Sequence, residues 1–118
     1  MKRLALCLML ALAVPLSAGG PVVMRASWYG PWHDGKPMAN QKRFDRWACT
    51  AAHRTLPLGT RLHLVELRSH RWVDVTVTDR GPFVPGRDLD LSEMAARQLR
   101  IAERGVALVQ VTVMGDRP

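Results

Sequence analysis

The clearest pattern in the chain is an alternation. From Arg71 to Thr78, Val73, Val75 and Val77 fall on one side, and Trp72, Asp74, Thr76 and Thr78 on the other. A period of two is that of a half-buried strand. Val106 to Met114 repeats it, with Ala107, Val109, Val111 and Val113 on one face. Arg61 to Leu67 predicts a third strand, with Leu62 and Leu64 alternating ahead of a bulge expected at Val65. Val22 to Tyr29 predicts a fourth, broken at Gly30-Pro31, and Leu89 to Leu91 a short apolar one. Leu56-Pro57-Leu58-Gly59, Ser69-His70 and Asp79-Arg80-Gly81-Pro82 read as turns. After the Leu89 strand the period becomes helical: Leu91, Met94, Ala95 and Leu99 form one apolar stripe. Ser92 is a suitable N-cap, and Glu93 sits in the first turn, where the helix dipole favours a carboxylate. A helix over Ser92 to Arg100 is predicted, and Gly105 ends the connector behind it. Trp32 to Arg46 shows no period, and long loops in small domains are often functional. The fold expected is mainly β: five or six short strands and one or two short helices, closed into a small barrel that leaves no free sheet edge.

The first residues follow another pattern. Lys2 and Arg3 precede an apolar run from Leu4 to Leu16, and Ser17-Ala18-Gly19-Gly20 follows it. Cationic, apolar and small-residue stretches in that order make a secretory signal. The run is roughly 13 residues, short of the about 20 that a bilayer span needs. A cleaved leader over 1–20 and a mature domain over 21–118 are therefore expected. The mature domain is expected in the periplasm or cell envelope, a monomer without stable membrane insertion. Cys7 lies inside the apolar run and not at its junction, so lipidation is not expected. Cys49 is then the one thiol of the mature domain, which excludes an internal disulfide. Among Ala48, Thr50 and Ala51 it reads as a small buried hydrophobe. The formal net charge is +7, two units of it from Lys2 and Arg3. Such a surface suits an acidic polymer, and export points to cell wall and away from nucleic acid. Arginines serving only solubility are the alternative.

Four segments go further: Ala26-Ser27-Trp28-Tyr29-Gly30, Thr50-Ala51-Ala52-His53-Arg54-Thr55-Leu56-Pro57-Leu58-Gly59-Thr60, Asp79-Arg80-Gly81-Pro82-Phe83 and Asp90-Leu91-Ser92. In this order and spacing the chain resembles the rare lipoprotein A (RlpA) family over about residues 24 to 114. The resemblance implies a six-stranded double-psi β-barrel, the fold of expansins and of a class of murein lytic transglycosylase. It implies cleavage of the bond between N-acetylmuramic acid and N-acetylglucosamine in peptidoglycan glycan strands. The family usually reads Thr-Ala-Asn/Ser-Gly-Glu-Xaa-Phe/Tyr-Asp in its first loop. Here the loop is Met38-Ala39-Asn40-Gln41-Lys42-Arg43-Phe44-Asp45, so Lys42 stands where relatives carry a functional acid.

That chemistry needs few groups. The 6-hydroxyl of the muramyl sugar is an intramolecular nucleophile with high effective molarity. One carboxylic acid can protonate the leaving oxygen and then accept the hydroxyl proton. Asp79, at the end of the Val75 and Val77 strand, is the candidate, and Gly81 lets a sugar approach the backbone. The bland reading of Asp79 is a turn residue. His53 is the second catalytic candidate, as substrate donor or as orienter of Asp79, against a purely structural role. Tyr29, Gly30, Asn40, Lys42, Arg80 and Phe83 are the residues expected to meet the glycan. Trp28 and Trp32 are further aromatics able to stack on sugar faces or to fill the core. Asp90 is read as satisfying the start of the Ser92 helix. His33, His63 and His70 have no metal-ligand spacing with His53, so neither metal nor cofactor is expected. Two functions stay open: a lytic transglycosylase, and a non-catalytic, expansin-like wall-binding module.

Overall fold

The computed structural model describes residues 20–115, so all of the expected leader except Gly20 lies outside the described residues. Six strands are present: β1 Val22–Trp28, β2 Thr50–Ala52, β3 Arg61–Glu66, β4 Trp72–Asp79, β5 Leu89–Leu91 and β6 Ala107–Gly115. Helix α1 runs Glu93–Gln98, and a 3-10 turn covers Pro31–His33. The strands close into a barrel in the order β1-β5-β2-β4-β3-β6. β1–β5 and β2–β4 are parallel and the other pairs antiparallel. β6 closes the ring by pairing with both β1 and β3, which removes the edges a six-stranded sheet would otherwise expose.

The interior follows from the alternation. Leu62 and Leu64 of β3, Val73, Val75 and Val77 of β4, and Val109 and Val111 of β6 are all buried in one cluster. Ala26, Ala51, Leu89 and Leu91 complete it, with Ala95, Ala96, Leu99 and Ile101 of the α1 region packed against the barrel. Ser92 caps α1 by accepting from the Ala95 amide (3.3 Å).

Four details depart from the sequence reading. The bulge expected at Val65 lies instead between Arg61 and Leu62 against β6, and Val65 keeps its register on both sides. Met94 is only half-buried; in so short a helix Ala95, Ala96 and Leu99 make the inward stripe. Val113 is 48% exposed, because it lies beyond the filled part of the barrel. β2 is a strand of three residues, too short to announce itself by alternation.

Candidate active site

β4 would ordinarily aim Asp79 inward, in step with Val75 and Val77. The β2–β4 register prevents it: Ala51 pairs with Val77, but Ala52 pairs with Asp79. One extra residue, Thr78, is accommodated as a bulge, which re-aims the side chain after it. Ala52 also pairs with Asp90 of β5, and Asp90 pairs with Ser27 of β1. Ladder partners share a face. Ser27, Asp90, Ala52 and Asp79 therefore form one row across four adjacent strands. Their neighbours Ala26, Leu89, Leu91, Ala51 and Val77 belong to the core cluster, so the row lies on the barrel's outer face. In the ladder, buried Ala52 stands between the two carboxylates. With strands about 4.8 Å apart, their Cα atoms are roughly 10 Å from each other.

Asp79 is held on both oxygens. Oδ1 accepts from the backbone amides of Ala39 (2.8 Å) and Arg80 (2.8 Å), and Oδ2 accepts from the Tyr29 hydroxyl (2.9 Å). The Tyr29 ring stacks on buried Phe44 at 4.6 Å and meets the His33 ring edge-on at 5.0 Å. Burial pushes the Tyr29 phenol far above its usual range, helped by the charge and hydrogen bond of Asp79 and by Asp90, so it remains a neutral donor. Beyond Asp79, Gly81 adopts φ +122, open only to glycine, and turns the chain towards Phe83.

The segment read as irregular is a small hairpin. Gly35 donates to the Phe44 carbonyl, Phe44 to Lys36, and Met38 to Lys42, and Pro37 bridges to Arg43. Its tip is set by Gln41 in the left-handed region (φ 72) and by Asn40, whose Oδ1 accepts from the Lys42 amide (3.0 Å). The tip is tied to β4 by the Ala39 bond to Asp79 and by the Asn40 amide to the Thr78 carbonyl (3.2 Å). Lys42 stands exposed at that tip.

Asp90 does not serve the helix. Its Oδ1 accepts from the Ser27 hydroxyl (3.0 Å), and Ser92 performs the capping itself. Burial pushes the Asp90 carboxyl up; the Ser27 bond and the cationic influence of His33 and Arg87 oppose this, and Asp79 adds to it. His33 Nδ1 is buried without a partner among the described residues. A cleft of about 490 Å³ is lined among others by Ser27, the partner of Asp90, and by Gly30, Trp32 and Arg87. A Cβ at Gly30 would lie 2.1 Å from the Trp32 ring, so its bare backbone makes room for that indole.

His53 lies at the end of β2, and its amide donates to the Asp79 carbonyl (3.1 Å). Its Nδ1 accepts from the amides of Thr55 (3.1 Å) and Leu56 (3.0 Å), so the neutral ring carries its proton on Nε2. Burial, then the neighbouring Arg54 and Arg80 cations, lower the His53 pKa and keep the ring neutral. Arg80 turns its guanidinium onto the carbonyls of His53 (3.2 Å) and Leu56. Arg54 likewise grips the Pro82 carbonyl (2.9 Å), the Arg87 carbonyl and Asp88. The two arginines thus fix the loops on either side of Asp79. Phe83 is 76% and Trp32 69% exposed, while Trp28 packs on the core and donates to the Ala102 carbonyl. Burial also pushes the Cys49 thiol up, away from nucleophilic character.

Asp79, Tyr29 and the Asn40–Lys42 tip thus come together, with His53 and Arg80 joined to Asp79 through the backbone. Among the described residues no three His, Cys, Asp or Glu side chains converge as metal ligands would. The sequence reading missed Asp90 as part of the row. The clue was a carboxylate flanked by two leucines in a short strand, which alternation sends to the outer face. It also missed the Ala39 amide, for which no side-chain pattern exists.

A closed six-stranded barrel with two parallel pairs and this row on its outer face is a double-psi β-barrel. Solved structures agree: the Streptomyces papain inhibitor superposes with a TM-score of 0.61 at 20% identity, over 80% of this chain and 96% of that one. Cerato-platanin 3 from M. perniciosa gives 0.62 at 13% identity with the same coverage. The chain belongs to the lytic transglycolase family, whose pattern it matches over residues 22–111. The probable endolytic peptidoglycan transglycosylase RlpA of Synechocystis sp. is 49% identical over 89 residues, 75% of this chain and 28% of that protein. The endolytic peptidoglycan transglycosylase RlpA of Campylobacter jejuni is 47% identical over 90 residues, 76% of this chain and 33% of its own length. The chain therefore spans about a third or less of these relatives.

Proposed function

We propose that this domain is an exported peptidoglycan lytic transglycosylase, working in the periplasm or cell envelope on glycan strands. The 6-hydroxyl of a muramyl sugar attacks its own C1, the bond from C1 to the bridging oxygen breaks, and a 1,6-anhydro ring closes. The bridging oxygen gains a proton and the hydroxyl loses one, so no water is consumed. Asp79 is the carboxylate at the reacting centre, and a single carboxyl can serve both transfers in turn. His53 presents Nε2–H as a donor to substrate. Tyr29 positions Asp79, and the Asn40–Lys42 tip and Phe83 form walls along which the strand lies. The observation that carries this reading is the row on the barrel's outer face, where a bulge turns Asp79 out of the core and leaves it partly exposed. The relatives' activity on peptidoglycan supports the choice of substrate.

A wall-binding module without turnover is the second reading, favoured by the exposed aromatics Phe83 and Trp32 and by Lys42 at the loop tip. Digestion of purified glycan strands, followed by mass spectrometry, separates the two. Anhydromuramyl ends are expected, lost in Asp79→Asn while sedimentation with sacculi persists. Binding by the unmodified protein with no release at any pH would leave only the module.

A further inference from the structure

We propose that the two proton transfers are divided, with Asp90 giving a proton to the leaving oxygen and Asp79 taking that of the attacking hydroxyl. This rests on the transglycosylase reading above. The two carboxylates stand in one row, on either side of buried Ala52, and both influence Tyr29, whose hydroxyl donates to Asp79. Their settings differ. Three donors already point at the oxygens of Asp79, from Ala39, Arg80 and Tyr29, so a proton on either oxygen would face a donor. That arrangement suits an acceptor. Asp90 receives one hydrogen bond, from Ser27 to Oδ1, and its Oδ2 accepts none from the described residues. An O–H there meets no competing donor.

The surroundings of Asp90 act in the same sense. Burial favours the neutral form of Asp90, with Asp79 adding like-charge repulsion. The groups facing it are Ser27 and Tyr29 from β1 and its end, His33 from the 3-10 turn, Arg87 from the segment before β5, and Asp79 from β4. His33 and Arg87 oppose the shift without reversing it. A carboxyl held towards its neutral form, in one row with a carboxylate whose oxygens already accept three hydrogen bonds, gives one site a proton donor and an acceptor. Space for substrate adjoins: Ser27, the partner of Asp90, lines the cleft that runs past Trp32, and among the described residues the buried His33 Nδ1 has no partner. The balance closes. C1 loses the bridging oxygen and gains O6, Asp90 loses one proton and Asp79 gains one, and solvent exchange resets the pair.

The test compares two leaving groups. On glycan strands, Asp90→Asn and Asp79→Asn should each lose about 10²–10⁴-fold in kcat, the range for a missing acid or base. An aryl N-acetylmuramyl glycoside with a dinitrophenol leaving group needs no protonation. On it, Asp90→Asn should come within about tenfold of the unmodified protein, whereas Asp79→Asn should stay inactive. Asp90→Glu should restore part of the activity on strands. If Asp90→Asn loses activity equally on both substrates while folded by circular dichroism, Asp90 holds Ser27 and gives no proton, and the inference is overturned with the transglycosylase reading intact. If Asp90→Asn cleaves strands normally, the result is the same. If the unmodified protein cleaves neither substrate, the transglycosylase reading falls and takes this inference with it.

Discussion

Replacing Tyr29 by Phe removes one atom from the site and leaves its shape. The ring's contacts, stacked on Phe44 at 4.6 Å and edge-on to His33 at 5.0 Å, survive the change. What goes is the hydroxyl that donates to Asp79 Oδ2 at 2.9 Å, the sole hydrogen bond that oxygen receives from the described residues. A hydrogen bond to a charged group contributes about 1.5–3 kcal/mol. If that energy holds Asp79 in its reactive orientation, its loss reads as about a 10- to 150-fold fall in kcat, at 1.4 kcal/mol per factor of ten. The same loss lowers stability, and a domain of this size shifts by about 4–8 °C in Tm per kcal/mol. Kinetics therefore belong at 25 °C, with folding of both forms verified by circular dichroism. The assay is release of anhydromuropeptides from glycan strands, with sacculus sedimentation measured in parallel. A drop in kcat with unchanged sedimentation is expected. Phe stacks on a sugar as well as Tyr does, so an unchanged kcat in Tyr29→Phe together with lost sedimentation in Tyr29→Ala would refute the positioning role and make Tyr29 a stacking platform.

Other consequences are as direct. Lys42→Glu should raise activity, which in the native protein is expected to be weak and skewed to acidic pH. It restores a carboxylate to the loop tip whose Ala39 amide holds Asp79, and identical pH–rate profiles would put Lys42 outside the site. Burial pushes the Glu66 carboxyl up, but hydrogen bonds from the Arg68 amide, the Ser69 hydroxyl and amide, and Arg104 outweigh it and hold it at about 2, below its ordinary 4.5. A depressed carboxyl contributes stability that is complete above the unfolded value and fades as pH falls from about 4.5 towards 2. Glu66→Gln should cost about 1–3 kcal/mol in urea unfolding at pH 7 and much less at pH 2.5; an equal loss at both would show that the charge is irrelevant. Arg54→Ala should loosen residues 82–88, which it grips through Pro82, Arg87 and Asp88, and speed proteolysis there before any fall in Tm.

How much of this was legible depends on whether a position's role lives in its side-chain period. Val73, Val75, Val77, Val109 and Val111 announced their strands because a barrel interior selects every second residue, and all five are core. Thr50-Ala51-Ala52 announced nothing: three small residues show no alternation, although β2 is the strand that joins the halves of the acid row. The hairpin over 35–44 was hidden for another reason. Its hydrogen bonds are almost all backbone, and its tight tip uses Gln41 at φ 72 where glycine or asparagine would have signalled the turn. Asp79 was singled out through the family resemblance, not through period, since the bulge at Thr78 breaks the alternation there. Asp90 was visible in principle, as the outward residue of Leu89-Asp90-Leu91, but its proximity to Ser92 suggested a local cap. Only the parallel pairing of β5 with β1 reveals that its partner is Ser27, 63 positions away.

The row explains why such a site is built on strands and tuned by loops. Residues 27, 52, 79 and 90 are far apart in sequence, yet ladder pairing fixes their order to within a strand spacing, and the closed barrel behind them cannot easily slide. The carboxylates are thereby positioned by backbone hydrogen bonds, which no single side-chain substitution removes. Their surroundings come from groups that loops deliver: for Asp79 the Ala39 amide from the 35–44 hairpin and Tyr29 from the end of β1, and for Asp90 the charges of His33 and of Arg87 from the segment before β5. Position and surroundings are therefore separable, so Lys42→Glu at the loop tip tests the surroundings while the row itself stays where the strands put it.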